Sequence, residues 1–94
     1  MTETVLIQIG NTDDKLSQFT WSAYCMQVRR LLARLSKEVH FIGGSPFDTA
    51  WQNACFVASI DQQRRTELLE GLTKIREVYG QDSVAVMFGN TEFV

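Results

Sequence analysis

Four aspartates, Asp13, Asp14, Asp48 and Asp82, are the residues of this chain with the plainest chemical potential. Carboxylates without histidine or cysteine make a hard, oxygen-only donor set, the kind that holds Mg²⁺ or Mn²⁺ and assists phosphodiester hydrolysis. The alternative is turn chemistry. Asp13 and Asp14 stand just before a helix-period stretch, where negative charge is favoured, and Asp82 opens a strand. Amides accompany these acids. Trp51-Gln52-Asn53 and Gln81-Asp82-Ser83 each precede a strand. Their polar groups either bond to each other's backbone and lock a rim, or present that rim to a ligand or partner.

Other chemistry is sparse. His40 is the one histidine, and no Cys/His spacing surrounds it as a metal site requires, so we read it as a packed or interface residue with no metal and no cofactor expected. Cys25 as a nucleophile would need a base, and His40 lies on another element. No glycine-rich dinucleotide loop, phosphate loop or Gly-x-Ser-x-Gly elbow occurs. Cys25 and Cys55 both sit inside apolar segments, which predicts free, buried thiols in a reducing compartment.

The elements that position these residues follow a repeated pattern. Val5–Ile9, a helix-period stretch Phe19–Leu35 and Val39–Ile42 form one strand–helix–strand unit. Ala54–Ile60, Gln62–Tyr79 and Val84–Phe88 form the second. Ser17 and Asp61 suit the helix N-caps, and Gly80 a helix stop. On the first helix Trp21, Tyr24 or Cys25, Val28, Leu31, Leu32 and Leu35 share a face. On the second, Leu68, Leu69, Leu72, Ile75 and Tyr79 do. Gly71, mid-helix, costs about 1 kcal/mol against Ala and suggests close packing on a sheet.

Ninety-four residues, 45% of them apolar, suit one domain spanning 1–94. The net charge is −2, so no electrostatic footprint for nucleic acid exists, and the cations Arg29, Arg30, Arg34, Arg64, Arg65, Lys74 and Arg76 read as solvated helix faces. Strand one also lacks the base-stacking aromatic of an RNA-recognition module, which shares this element order. No apolar run approaches the roughly 20 residues of a spanning helix, and no secretory signal is evident, so a cytoplasmic protein is expected.

A βαββαβ order predicts an α+β, ferredoxin-like two-layer sandwich, with an antiparallel sheet of order 4-1-3-2 and both helices on one face. One rim should then gather Asn11, Asp13 and Asp14 with Ser45 to Asp48, Trp51, Gln52, Asn53, Gln81, Asp82 and Ser83. The echo Gly10-Asn11-Thr12-Asp13 and Gly89-Asn90-Thr91-Glu92 should be split between opposite rims, as strand-ending turns. The sheet face away from the helices should carry Leu6, Gln8, His40, Ile42, Cys55, Val57, Ala85 and Met87. An open apolar face marks an interaction surface, and a second copy is its simplest partner.

The segments Asn11-Thr12-Asp13-Asp14-Lys15-Leu16-Ser17, Trp21-Ser22-Ala23, Trp51-Gln52-Asn53-Ala54-Cys55 and Tyr79-Gly80-Gln81-Asp82-Ser83-Val84-Ala85 resemble small proteins encoded by bacteriophages of actinobacteria. The resemblance covers most of the chain. It implies expression in a bacterial host and an accessory role on host machinery, and assigns no residue a function. At fold level the chain is also similar to the small dimeric nuclease-like subunit of CRISPR adaptation complexes. The aspartate closing strand one in that family falls near Gly10 or Asn11 here. The expected function is a non-enzymatic, homodimeric protein-interaction module acting on a host or phage protein. The alternative is a metal-dependent nuclease using the Asp-rich rim.

Overall fold

The computed structural model describes residues 1–46 and 51–94. Six main elements follow in order: β1 (Thr2–Gly10), α1 (Gln18–Leu35), β2 (Glu38–Gly44), β3 (Asn53–Asp61), α2 (Arg65–Val78) and β4 (Ala85–Gly89). Short 3₁₀ turns at Thr12–Asp14 and Gln62–Arg64 precede the two helices. The sheet has order β2-β3-β1-β4 and every pairing is antiparallel. This is the expected α+β, ferredoxin-like arrangement.

Local chemistry explains the boundaries. Ser17 is extended and its hydroxyl accepts from the Thr20 N–H, capping α1. Asp61 accepts from the Gln63 N–H, so it caps the 3₁₀ turn that leads into α2. Gly80, at φ 63°, ends the second helix in the left-handed region. Strand β1 is longer than its apolar run because all nine residues pair with β3, from Thr2 opposite Asp61 to Gly10 opposite Asn53.

Val5, Ile7 and Ile9 of β1 and Ala54, Phe56, Ala58 and Ile60 of β3 are buried against Tyr24, Val28, Leu31, Leu32 and Leu35 of α1 and Leu68 and Leu72 of α2. Alternation in the strands and a 3.6-residue period in the helices thus meet in one core. Of the two candidates at that point of α1, Tyr24 enters the core and Cys25 is half-buried at its margin. Leu69 departs from expectation: it is exposed, one position off the stripe that Leu68 and Leu72 define. Gly71 does not approach the sheet. A Cβ there would lie 2.8 Å from Leu31 Cδ2, so its missing side chain lets the two helices close on each other.

Candidate functional site

The rim at the C-terminal end of β1 is built around two buried amides. Asn11, 2% exposed, donates through Nδ2 to the Leu16 carbonyl at 3.0 Å and accepts the Leu16 N–H on Oδ1 at 2.9 Å. Its own N–H donates to the Gln52 carbonyl at 3.0 Å. Gln81, 3% exposed, accepts the Thr12 N–H on Oε1 at 2.8 Å and donates to the Tyr79 carbonyl at 3.2 Å. Arg76 donates to the Gln81 carbonyl at 3.0 Å. Gln52 exchanges amide bonds with Gln18 at 2.9 and 3.1 Å, tying the rim to the start of α1. Among the described residues, Asn53 donates to none of the acids. Its N–H donates to the Ser45 hydroxyl and its side chain to the Trp51 carbonyl.

The topology therefore brings together Asn11, Gln52, Asn53, Trp51, Ser45 and Gln81. Most of their donors and acceptors are spent on neighbouring backbone or on each other. The acids stay at the edge of this network. Asp13 and Asp14 are exposed and left-handed, at φ 52° and 54°, a backbone that Asp tolerates better than most residues. Among the described residues, the Asp14 carboxylate meets only the Asn11 side-chain amide, at 3.4 Å. Asp82 and Ser83 are exposed beside Gln81. Among the described residues no three His, Cys, Asp or Glu side chains form a group able to hold a metal ion. The fourth expected acid, Asp48, lies outside the described residues.

The outer sheet face is the second candidate, and one expected member is misplaced. A bulge between Val39 and Phe41 lets Val39 pair with Ala58 and Phe41 with Val57. The extra residue, His40, reverses the alternation that follows it. Ile42 thus pairs with core-facing Phe56 and lies on the helix side, sharing a cavity with Trp21, Cys25 and Met26. Phe41 takes the outward place. Its ring lies over Gly43, where any side chain would collide with it. His40 stays on the outer face, its Nε2 2.6 Å from the Ser59 hydroxyl. The sheet separates His40 from Cys25, which removes the nucleophile–base pair considered from sequence.

Registers now align across all four strands. Phe41 lies opposite Val57, Val57 opposite Leu6, and Leu6 opposite Met87. The result is a continuous apolar row, with Phe41 55% and Met87 66% exposed. On one side of it run Gly43, Cys55, Gln8 and Ala85. On the other run Glu38, Ser59, Thr4 and Gly89, with His40 beside them. Here the segment after β4 turns back over the sheet: the Thr91 hydroxyl bonds that of Thr4, and Phe93 helps line a cleft with His40, Val57 and Ser59. Asn11 and Asn90, equivalent in the Gly-Asn-Thr echo, are respectively buried at one rim and exposed at the other. Phe41 and Phe93 escaped the sequence reading. The adjacent pair Phe41-Ile42 was the available signal, since two successive apolar residues permit either phase.

At the opposite end of β1, Glu3 is buried and its carboxylate receives both Arg65 Nε and Arg65 Nη2, the latter at 2.6 Å. The Arg65 guanidinium also lies over the Phe88 ring, 4.4 Å from its centre. The Arg65 hydrogen bonds hold the Glu3 carboxyl below its ordinary range despite desolvation. Among the other cations, Arg34 and Arg64 both approach Glu67, at 3.8 and 3.5 Å, and Arg29, Arg30 and Lys74 are exposed. Tyr24 stacks on Tyr79 with centres 5.0 Å apart, and its buried hydroxyl meets no partner among the described residues. Among the described residues, no helix is long and apolar enough to cross a membrane.

No family profile matches the chain, and no curated protein does. Its fold is similar to that in the crystal structure of an unknown protein from Galdieria sulphuraria, with a TM-score of 0.56 and 11% sequence identity. The similarity covers 97% of this chain and 49% of that one, so this chain spans about half of that protein's length. At that identity the likeness shows the shared fold alone.

Proposed function

We propose that this protein is a non-enzymatic interaction module that self-associates through the outer face of its sheet and acts, as a dimer, on a host or phage protein. One observation carries the reading: the apolar row Phe41–Val57–Leu6–Met87 crosses every strand on the face that no helix covers. Both helices lie on the other face, and although Phe93 lies beside Val57, the row keeps Phe41 55% and Met87 66% exposed. A contiguous apolar strip, bordered by Glu38, Ser59 and Thr4 on one side and by Gly43, Cys55, Gln8 and Ala85 on the other, suits an interface core. A second copy offers the same strip, and two-fold symmetry needs only one self-complementary patch. The resemblance to phage-encoded proteins is the reason for expecting the dimer's target among host or phage proteins. The rim favours a structural role, because its two central amides, Asn11 and Gln81, are occupied by backbone groups.

Light scattering over micromolar concentrations tests the association. The wild type should give twice the chain mass, and Leu6→Asp or Met87→Lys should give the monomer mass with unchanged circular dichroism. A wild-type monomer at all concentrations up to about 100 µM, where an interface worth roughly 6 kcal/mol already forms, would overturn the proposal.

A further inference from the structure

The outer face is not level, and its relief selects one way of packing two copies. At the Thr4–Ser59 end the segment Asn90–Val94 rises above the sheet, held by the Thr91–Thr4 hydroxyl pair. Phe93 is 93% exposed there, beside His40 and Ser59. At the other end Gly43, Cys55 and Ala85 are small. A hollow of about 280 Å³ opens there, lined among the described residues by Gln8, Phe41, Gly43, Asn53 and Cys55.

We infer that, in the dimer proposed above, Phe93 of each copy fills the hollow over Cys55 of the other. Two face-to-face sheets have two simple two-fold axes in the plane between them. An axis along the strands puts the raised segments of both copies on top of each other and leaves both hollows empty. An axis along the apolar row keeps that row against itself and exchanges the two ends, so each raised segment meets a hollow. Phe93 lies above β3 and β2, on the side of Ser59 and His40. The exchange carries it to the same strands at the Cys55 and Gly43 end, next to the Phe41 ring.

The interface area favours the same arrangement. Four strands about 4.8 Å apart and averaging about 25 Å in length give a face on the order of 500 Å². A standard interface buries roughly 800 Å² per partner. Seating one aromatic side chain removes a further 150–250 Å² or so from water, with a matching area in the hollow that receives it. The sheet face alone falls short, and the exchanged Phe93 closes most of the gap.

This inference rests on the dimer reading, and cross-linking separates the two. Within one chain Phe93 lies in the cleft of His40, Val57 and Ser59, and an intrachain disulfide to Cys55 would run at the monomer mass, distinct from the covalent dimer. In a Cys25→Ser background, Phe93→Cys should give a covalent dimer through native Cys55 under a glutathione redox buffer. That dimer should vanish when Cys55→Ser is added. Phe93→Ala should weaken dimerisation about tenfold or more, as loss of a seated aromatic anchor does. A dimer by light scattering that yields no covalent product, or one that cross-links equally without Cys55, overturns the placement of Phe93 and leaves the dimer standing. A monomer by light scattering overturns both.

Discussion

The side chain of Asn11 pairs with both backbone groups of Leu16, accepting its N–H at 2.9 Å and donating to its carbonyl at 3.0 Å. One carboxamide thus closes the loop from β1 to α1 as a peptide unit would, and fixes where α1 begins. Asn11→Ala strands two backbone groups at a site 2% exposed. It should cost about 2–3 kcal/mol, read as a lower urea midpoint at unchanged slope. Asn11→Asp keeps the acceptor but turns a carboxylate toward the Leu16 carbonyl, so it should not restore stability. A midpoint within error of wild type for Asn11→Ala would contradict the role given to this residue.

Tyr24 makes the opposite case. Burial pushes its hydroxyl pKa up to about 12, and that hydroxyl has no partner among the described residues. Removing an unsatisfied buried group while keeping the ring stacked on Tyr79 should stabilise. We expect Tyr24→Phe to raise stability by about 1 kcal/mol in urea denaturation. A loss of stability would mean that the hydroxyl has a partner.

The Glu3–Arg65 pair sets an acid limit. The Arg65 hydrogen bonds depress the folded pKa of Glu3 below its ordinary 4.5. The ionised form is therefore favoured by folding. Its contribution is complete above pH 4.5 and is lost as the pH falls through the folded pKa. Asp61, lowered from 3.8 chiefly by the Gln63 N–H, adds a contribution of the same sign. Stability measured stepwise downward from pH 4.5 should fall, and Glu3→Gln should flatten that slope while lowering the plateau above it.

Cys25 should be a slow thiol. Burial pushes its pKa from 9.0 up to about 11. The thiolate is then about a hundredfold scarcer at pH 8, and the greater nucleophilicity of a more basic thiolate recovers roughly a factor of ten. In a Cys55→Ser variant, iodoacetamide should alkylate Cys25 about tenfold more slowly than an unperturbed thiol. The rate should climb until the pH passes 11. Rapid alkylation at pH 8 would place Cys25 in solvent.

The fold was legible because its two periodicities are clean. Val5, Ile7 and Ile9 alternate, Val28, Leu31, Leu32 and Leu35 follow the helical period, and Ser17 and Asp61 mark the helix entries. The gathering of Asn11, Gln52 and Gln81 followed from that topology. The division of labour within the rim did not. An amide and a carboxylate look equally polar in a sequence, and only packing decides that Asn11 and Gln81 are buried while Asp13 and Asp82 face solvent. The outer face failed at Ile42 for another reason. A bulge adds one residue without a compositional mark, and Phe41 and Ile42 are both apolar, so strict alternation through His40 put Ile42 on the outer face where Phe41 belongs. Both cysteines are half-buried, against the full burial expected, for separate reasons: Cys55 faces the outer side of β3 between inward Ala54 and Phe56, and Cys25 lies beside the core stripe of α1 that Tyr24 and Val28 occupy.

Helix α2 is joined to the central strand at both extremities. Arg65, its first residue, grips Glu3 near the start of β1. Gln81, just past its end and held by Arg76, receives the Thr12 N–H just beyond the close of β1. A helix end normally opens first in amide exchange, since its last turns lack partners. Here neither end can unwind without parting from β1. Longitudinal sliding of the helix over the sheet is blocked in both directions, and β1, α2 and β4 must open together. Amide protection should therefore persist to both tips of α2, and the first exchange should fall in the half of the molecule built from α1 and β2.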